Sequence, residues 1–451
     1  MNPRTTLIKP KAIVTMDSAR RVIKGGGILV TDDTITSVLT DDDIHGGFIS
    51  TGDVLEANSL IAIPGFVQTH IHLCQTLFRG LADDLELLDW LKLKIFPYEA
   101  AHTASSMRVS ALLGLGELIR SGTTTIMDMG SVDHEEEIVR AVDESGIRAF
   151  VGKAMMDVNG MYPALKESTT ASLDSTLRQA ERWHGMRGGR IRYAVAPRFV
   201  LSCSDALLKE AYALTRSFPG MLFHTHAAEN RHELNAVRSR CGMDNVEFFE
   251  SMGILQPNTC LAHCIWLNPN EVDLLAGRDA KVLHCPSSNL KLGSGVARIP
   301  ELLARGIGVS LGADGAPCNN TLDAFQEMRL AALIQKPIHG PTVMDAETIL
   351  RMATSEGARA LGIGNETGSI EPGKKADIVL LDLDRVWNPC TTFENIYSSI
   401  VYSASPENVH SVMIDGAWVF SERTHRTIDE YSAVQASHGE LQQLLERVPG
   451  Q

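Results

Sequence analysis

Residues 64–75 read PGFVQTHIHLCQ. An apolar run, "LIAIPGF", leads into two histidines one residue apart, and Gln75 follows three positions after His72. In an extended strand, alternate side chains share a face, so His70 and His72 point the same way. The segments downstream of this strand decide the fold. Further short apolar runs are "TTTIMDMG", "RAFVGKAMMD", "RIRYAVAPRF", "MLFHTHAAE", "NTCLAHC", "AKVLHCPSS" and "IGVSLGADG". Helical patterns lie between them: "MRVSALLGLGELIRSG", "HEEEIVRAVDESG", "SDALLKEAYALTRS", "NRHELNAVRSR", "NPNEVDLLAG" and "RIPELLARG". Strands alternating with helices indicate an α/β protein with a parallel sheet. With "GFVQTHIH" there are eight strand candidates, the number for a closed (β/α)8 TIM barrel over residues 65–365. An open doubly wound sheet is the alternative, but no Gly-rich phosphate loop follows an early strand.

The flanks have another texture. "KAIVTMD", "GGILVTDDTITSVLT" and "SLIAIPG" at one end, and "GSIEPGKKADIVLLDLD" and "VHSVMIDGAWVFSE" at the other, are alternating runs broken by Gly and Asp. They predict one small flanking β-sandwich domain built from both termini, over 1–64 and 366–425. A helical tail is expected over 426–451.

Composition narrows the function. The chain of 451 residues is 44% hydrophobic and 21% charged, with a formal net charge of −14. An acidic chain with no Lys/Arg-rich run is unsuited to a phosphate backbone, so nucleic acid is not an expected partner. Uncharged bases and nucleosides remain open. The segment "MNPRTTLIKPKAIVTMD" has no apolar core of the signal-peptide kind, and no run is long enough to span a bilayer. The eight cysteines form no Cys-x-x-Cys pair. These features predict reduced thiols in a cytoplasmic protein with no membrane partner.

Polar residues collect where the strand candidates end. The first gives His70 and His72, "FHTHAAEN" gives His224, His226 and Glu229, and "CLAHC" gives His263. "VLHCPSS" gives His284 and "SLGADGAP" gives Asp314. Several imidazoles joined by a carboxylate suit a borderline-soft divalent cation. His224 and His284 are read as hydrogen-bonded core histidines.

Together "PGFVQTHIH", "THAAEN", "LAHC", "HCPSSNLKLGSG" and "GADGAPCNN" resemble the amidohydrolase superfamily, in its aminohydrolase branch. The resemblance implies metal ligands His70, His72, His226 and Asp314, holding one zinc ion per chain, or iron. It assigns catalytic roles to Glu229, His263 and Asp314: protonation of a ring nitrogen, support of the developing oxyanion and proton acceptance, with loss of ammonia. Lys153 in "FVGKAMMD" raises a rival, a carboxylated lysine bridging two metals. The position of Glu229 favours the one-metal form. The resemblance also allows homo-oligomerisation.

Two related groups compete over the substrate, a small heterocyclic amine. "RGLADDLELLDWLKLKIFPYE" and "GADGAPCNNTLDAFQEMRLAALIQK" are similar to methylthioadenosine/S-adenosylhomocysteine deaminases, in which the residue matching Glu99 holds the ribose hydroxyls. In those enzymes arginines often grip the homocysteine carboxylate, and the nearest candidate here is Lys153. "RAFVGKAMMDVNGMYP" and "APRFVLSCS" resemble guanine deaminases, in which residues matching Arg198 and Phe199 clamp the purine and one matching Gln75 reads it. Guanine is the first expectation and an adenosine-type nucleoside the alternative. Because "GAPCNN" after Asp314 departs from the guanine deaminase pattern, a pterin, 8-oxoguanine or a triazine is a further alternative.

Overall fold

A computed structural model describes residues 4–45, 52–388 and 391–449. Seven strands run parallel, each beside the next: Phe66–His72, Thr123–Met129, Arg148–Gly152, Ile191–Pro197, Leu222–Ala227, Thr259–His263 and Lys281–His284. The eighth is split. Val309–Leu311 pairs with the seventh strand, and Asp314–Gly315 pairs with Ile71 and His72 of the first. The split strand therefore closes the sheet into a barrel. Gly312 lies at the seam, where a Cβ would sit 2.6 Å from the His70 carbonyl oxygen. Glycine lets the two backbones approach this closely. Thr69 and Ser310 bond through their hydroxyls at 2.8 Å, and Ala313 N–H donates to Gln68 Oε1 at 3.0 Å across the same seam.

The strands are almost wholly buried, as a sheet covered on both faces requires. Inside the barrel Val67, Met127, Phe150, Leu222 and Leu283 pack against Ala358 and Leu361 of the helix Ser355–Ala360 and the turn that follows it. This apolar plug fills one end. The polar side chains are left at the C-terminal ends of the strands.

Helices occupy the expected stretches, among them Ala104–Arg120, Glu135–Ser145, Arg231–Cys241 and Pro269–Arg278. Their starts follow capping chemistry. Thr103 and Ser106 form a reciprocal cap, as do Asn268 and Glu271. The helix Thr169–Trp183 has no counterpart among the expected ones. Its stretch is largely polar and buries only Ser172, Thr176, Ala180 and Trp183.

The terminal segments build one nine-stranded sheet. Asp53–Pro64 lies between Thr5–Val14, to which it is parallel, and Ile378–Leu381, to which it is antiparallel with Ala62 opposite Leu380. Alternation divides its side chains. Ala62, Ile378 and Leu380 join Ile8 and Ile28 in a core of their own, whereas Ile61, Ile63, Val379 and Leu381 pack into the barrel's core. Arg148, on the third barrel strand, ties the two bodies together. Its Nε and Nη2 reach the two oxygens of Asp377 at 2.9 and 3.1 Å, and Nη2 also contacts Asp415. The C-terminal helix Glu430–Arg447 buries Leu444 against Leu77, Phe78, Tyr98 and Val109. Among the described residues no helix is long and apolar enough to cross a membrane.

Candidate active site

His70 and His72 end the first barrel strand, and Asp314 lies beside them because the eighth strand pairs there. Asp314 Oδ1 is 3.4 Å from His70 Nε2 and 3.3 Å from His72 Nε2. Ring orientation is set from behind. His72 Nδ1 meets the Met129 carbonyl at 2.6 Å, and His226 Nδ1 meets the Arg198 carbonyl at 2.7 Å. A carbonyl can only accept, so both rings carry the proton on Nδ1 and turn Nε2 inward. His70 Nδ1 meets Nε2 of His224 at 2.8 Å. Strand alternation puts His224 on the same side as His226. It is a buried core histidine, and it also sets the angle of His70.

The donor set fits a divalent cation. Ligand atoms of His70, His72 and His226 lie within 4.8 Å of one another, as do those of His70, His263 and Asp314. His70 Nε2 and His263 Nε2 are buried and have no hydrogen-bond partner. Unpaired buried polar atoms are costly, and a cation at their convergence would satisfy them. Burial pulls the imidazoles down, His72 to about 3 and His226 well below its usual range, so each offers a neutral lone pair. Burial alone would raise Asp314. The close approach of His70, with His72 and His263 beside it, outweighs burial and holds the carboxyl well below its usual range.

Beside this cluster stands a carboxyl of opposite character. Burial, reinforced by Asp314 and Glu233, pushes Glu229 well above its usual range and so favours its protonated form. Its Oε2 lies 3.5 Å from His263 Nε2, and Asp314 Oδ2 lies 3.9 Å from the same nitrogen. His263 is held by Asn289, Nδ1 to Oδ1 2.8 Å, and Asp314 Oδ2 accepts from the Ser288 hydroxyl at 2.6 Å. Ser288 and Asn289 belong to the "HCPSSN" stretch, but nothing in their spacing says which residues they support. Left-handed backbone marks three strand ends: Ala228 (φ 50°), His263 (φ 74°) and Asp314 (φ 62°). Such conformations are unfavourable for non-glycine residues and recur where side chains must be aimed.

A cavity opens over the cluster. Glu229, His263 and Asp314 line it, together with Arg198, Phe199 and an apolar group of Leu87, Trp90 and Leu91. Gln75 and Glu99 are not part of that lining. Gln75 Nε2 donates to Glu99 Oε1 at 2.8 Å, and Arg198 Nη1 donates to Glu99 Oε2 at 2.7 Å. The Arg198 guanidinium also lies 5.0 Å from the Phe96 ring centre. Gln75 Oε1 packs against Gly315, where a Cβ would be only 2.1 Å away. Lys153 Nζ is bound to Glu167 at 2.5 Å and to the Ala154 carbonyl at 3.1 Å. It joins no candidate metal group among the described residues. His284 is buried with both nitrogens unpartnered and likewise joins none.

A closed parallel barrel, with inward-turned imidazoles, two carboxyls shifted in opposite directions, and a cavity above them, is the framework of a hydrolase that activates water. The chain belongs to the amidohydrolase family, whose profile matches residues 61–419. It is 42% identical over 412 residues to a 5′-deoxyadenosine deaminase of Methanothermobacter thermautotrophicus, covering 90% of this chain and 92% of that one. It is 37% identical over 421 residues to a 5-methylthioadenosine/S-adenosylhomocysteine deaminase of Syntrophomonas wolfei, covering 93% and 94%. An adenosine deaminase from Xanthomonas campestris, solved with bound zinc, superposes with a TM-score of 0.91 at 28% identity over 98% of both chains. Family and relatives together make this chain a hydrolytic aminohydrolase.

Proposed function

We propose that the enzyme removes the exocyclic amine of adenosine-type nucleosides, with 5′-deoxyadenosine and 5′-methylthioadenosine as substrates and ammonia as a product. The observation that carries the reaction type is the placement of Glu229 and Asp314 on the two sides of His263 Nε2, at 3.5 and 3.9 Å, in surroundings that shift one carboxyl up and the other down. Two carboxyls whose surroundings drive them apart in this way are suited to acid and base work at one centre. For the substrate, the support comes from the two deaminases similar over at least 90% of the chain. Guanine, the first expectation, loses ground. Gln75 and Arg198, which would read it, are both engaged by Glu99.

In this reading His70, His72, His226 and Asp314 hold a divalent metal, with zinc favoured by the zinc-bound relative. When bound, such an ion acidifies a water and polarises the group it faces. The chain's own residues supply the rest. Glu229 gives its proton to the ring nitrogen beside the amine-bearing carbon, which makes that carbon electrophilic. Asp314 accepts a proton from the attacking water. His263, fixed by Asn289, is placed beside the oxygen that gains charge. Asp314 then passes the proton it took from water to the departing amine, and Glu229 takes back a proton from the new hydroxyl as the carbonyl forms. The test is mass analysis of the product formed from 5′-deoxyadenosine in ¹⁸O-water. Gain of one labelled oxygen with one ammonia per turnover is expected. Cleavage to free adenine would overturn the reading.

A further inference from the structure

Among the described residues no donor hydrogen-bonds the Glu229 carboxyl, whose Oε2 lies 3.5 Å from His263 Nε2. The aim of this side chain therefore comes from its backbone, and the backbone is fixed on both sides. Before it, the left-handed turn at Ala228 (φ 50°) leads the chain off the fifth barrel strand. The Ala228 carbonyl accepts from the N–H groups of Ile265 at 2.9 Å and Trp266 at 3.0 Å, just beyond His263 on the neighbouring strand. After it, the N–H of Glu229 itself donates to Glu233 Oε2 at 2.9 Å.

Glu233 occupies the third position of the helix Arg231–Cys241, whose N-cap is Asn230. A glutamate at that position commonly turns back to the N-cap amide. Such a cap works at a solvated surface, but Glu233 is only 1% exposed. Its other oxygen accepts from Asn245 Nδ2 at 2.6 Å, at the start of the helix Asn245–Ser251. Burying a carboxyl is costly even where both oxygens are bonded. The helix start does not require it, because Asn230 Oδ1 already accepts from the His232 N–H at 2.8 Å. What the buried carboxyl adds is a rigid acceptor for the N–H of Glu229, anchored from a second helix.

We propose that Glu233 is a positioning residue for the reaction: through its bond to the Glu229 N–H it holds the acid at the place from which it reaches the substrate's ring nitrogen. This rests on the reading of Glu229 as the proton donor. A displaced donor leaves substrate binding in place but must pass its proton across a longer gap, so the loss falls on kcat and not on KM.

The test is a double-mutant cycle on the full-length, zinc-loaded enzyme with 5′-deoxyadenosine, with kcat expressed per bound zinc. Glu233→Ala is expected to lower kcat about 100-fold, the scale of a misplaced reacting group, and to leave KM within about threefold. In the Glu229→Gln background the same replacement is expected to change kcat by less than about threefold, because the group it positions has already lost its proton. Glu233→Gln keeps an oxygen for the Glu229 N–H. Its amide can donate to Asn245 Oδ1, which is buried without a partner, once the Asn245 side chain turns over. This variant is expected to stay within about fivefold of wild-type kcat, since the hydrogen bond survives. Where Glu233→Ala does not fold, Glu233→Asp takes its place in the cycle. It withdraws the oxygen by one methylene and is expected to lower kcat about tenfold. Equal losses in the two backgrounds would overturn the inference, because Glu233 would then support the fold and not the donor. So would a glutamine variant as slow as the alanine one, or a near-native kcat for Glu233→Ala, and each would leave the deaminase reading intact. A near-native kcat for Glu229→Gln alone would overturn the inference together with the role given to Glu229.

Discussion

Arg198 and Glu99 are joined by a 2.7 Å bond from Nη1 to Oε2, with both side chains out of solvent. Gln75 holds the carboxylate's other oxygen, and Phe96 lies under the guanidinium. Two charges taken out of water cost several kcal/mol each, and their mutual attraction offsets this only while both are present. Replacing Arg198 by Met leaves Glu99 buried without its cation. The expected loss is about 3–5 kcal/mol of unfolding free energy, measured by urea denaturation. A double replacement, Arg198→Met with Glu99→Leu, is expected to regain most of that loss while abolishing activity.

Glu229 is the acid of the proposed mechanism. Glu229→Gln keeps the shape and removes the transferable proton. Turnover of 5′-deoxyadenosine is expected to fall about 10²–10⁴-fold, with metal content by elemental analysis unchanged. The wild-type pH profile is set by the direction of the shift. Glu229 works in its protonated form, and burial raises it. Activity is therefore expected to fall on the alkaline side, as pH rises through the raised value.

His224 acts through His70. With His70 Nε2 turned toward Asp314, its Nδ1–H donates to His224 Nε2. His224→Phe preserves bulk and deletes that acceptor. Groups that orient a metal-binding histidine are worth about 10–100-fold in metal affinity. Zinc affinity, measured by competition with a chromogenic chelator, is expected to weaken by that factor while the fold, followed by circular dichroism, persists.

Arg148 joins the barrel to the terminal sheet. Asp377 also accepts from the Thr367 hydroxyl and from Asp415 N–H, each at 2.9 Å, so the arginine completes a buried network. Arg148→Leu is expected to cost about 3–5 kcal/mol, seen as a lower midpoint in denaturant. Arg148 is distant from the cavity lining in sequence and in contacts. At temperatures where the variant stays folded, kcat is therefore expected to match wild type.

Much of this was legible in the sequence because it rests on periodicity. Eight apolar runs separated by helical patterns yield a parallel barrel once closed, and the alternating terminal runs yield a sheet that shares a strand pair across Ala62 and Leu380. The cluster was legible because His70, His72, His226, His263 and Asp314 each sit where a strand stops. Partners through space were not. Gln75 lies near the cluster in sequence, but it bonds Glu99, 24 residues away, on a segment whose π turn has no clear signature. His224 resembles any core histidine until His70 is set beside it. The apolar wall of Leu87, Trp90 and Leu91 reads as ordinary core, because a substrate pocket and a hydrophobic core call for the same residues.

The most direct test of the central claim is ammonia release by the zinc-loaded enzyme on 5′-deoxyadenosine and on guanine, side by side. The account predicts turnover of the nucleoside, with guanine slower by orders of magnitude. Guanine turnover without nucleoside turnover would contradict it, and would mean that Gln75 and Arg198 leave Glu99 to read the base.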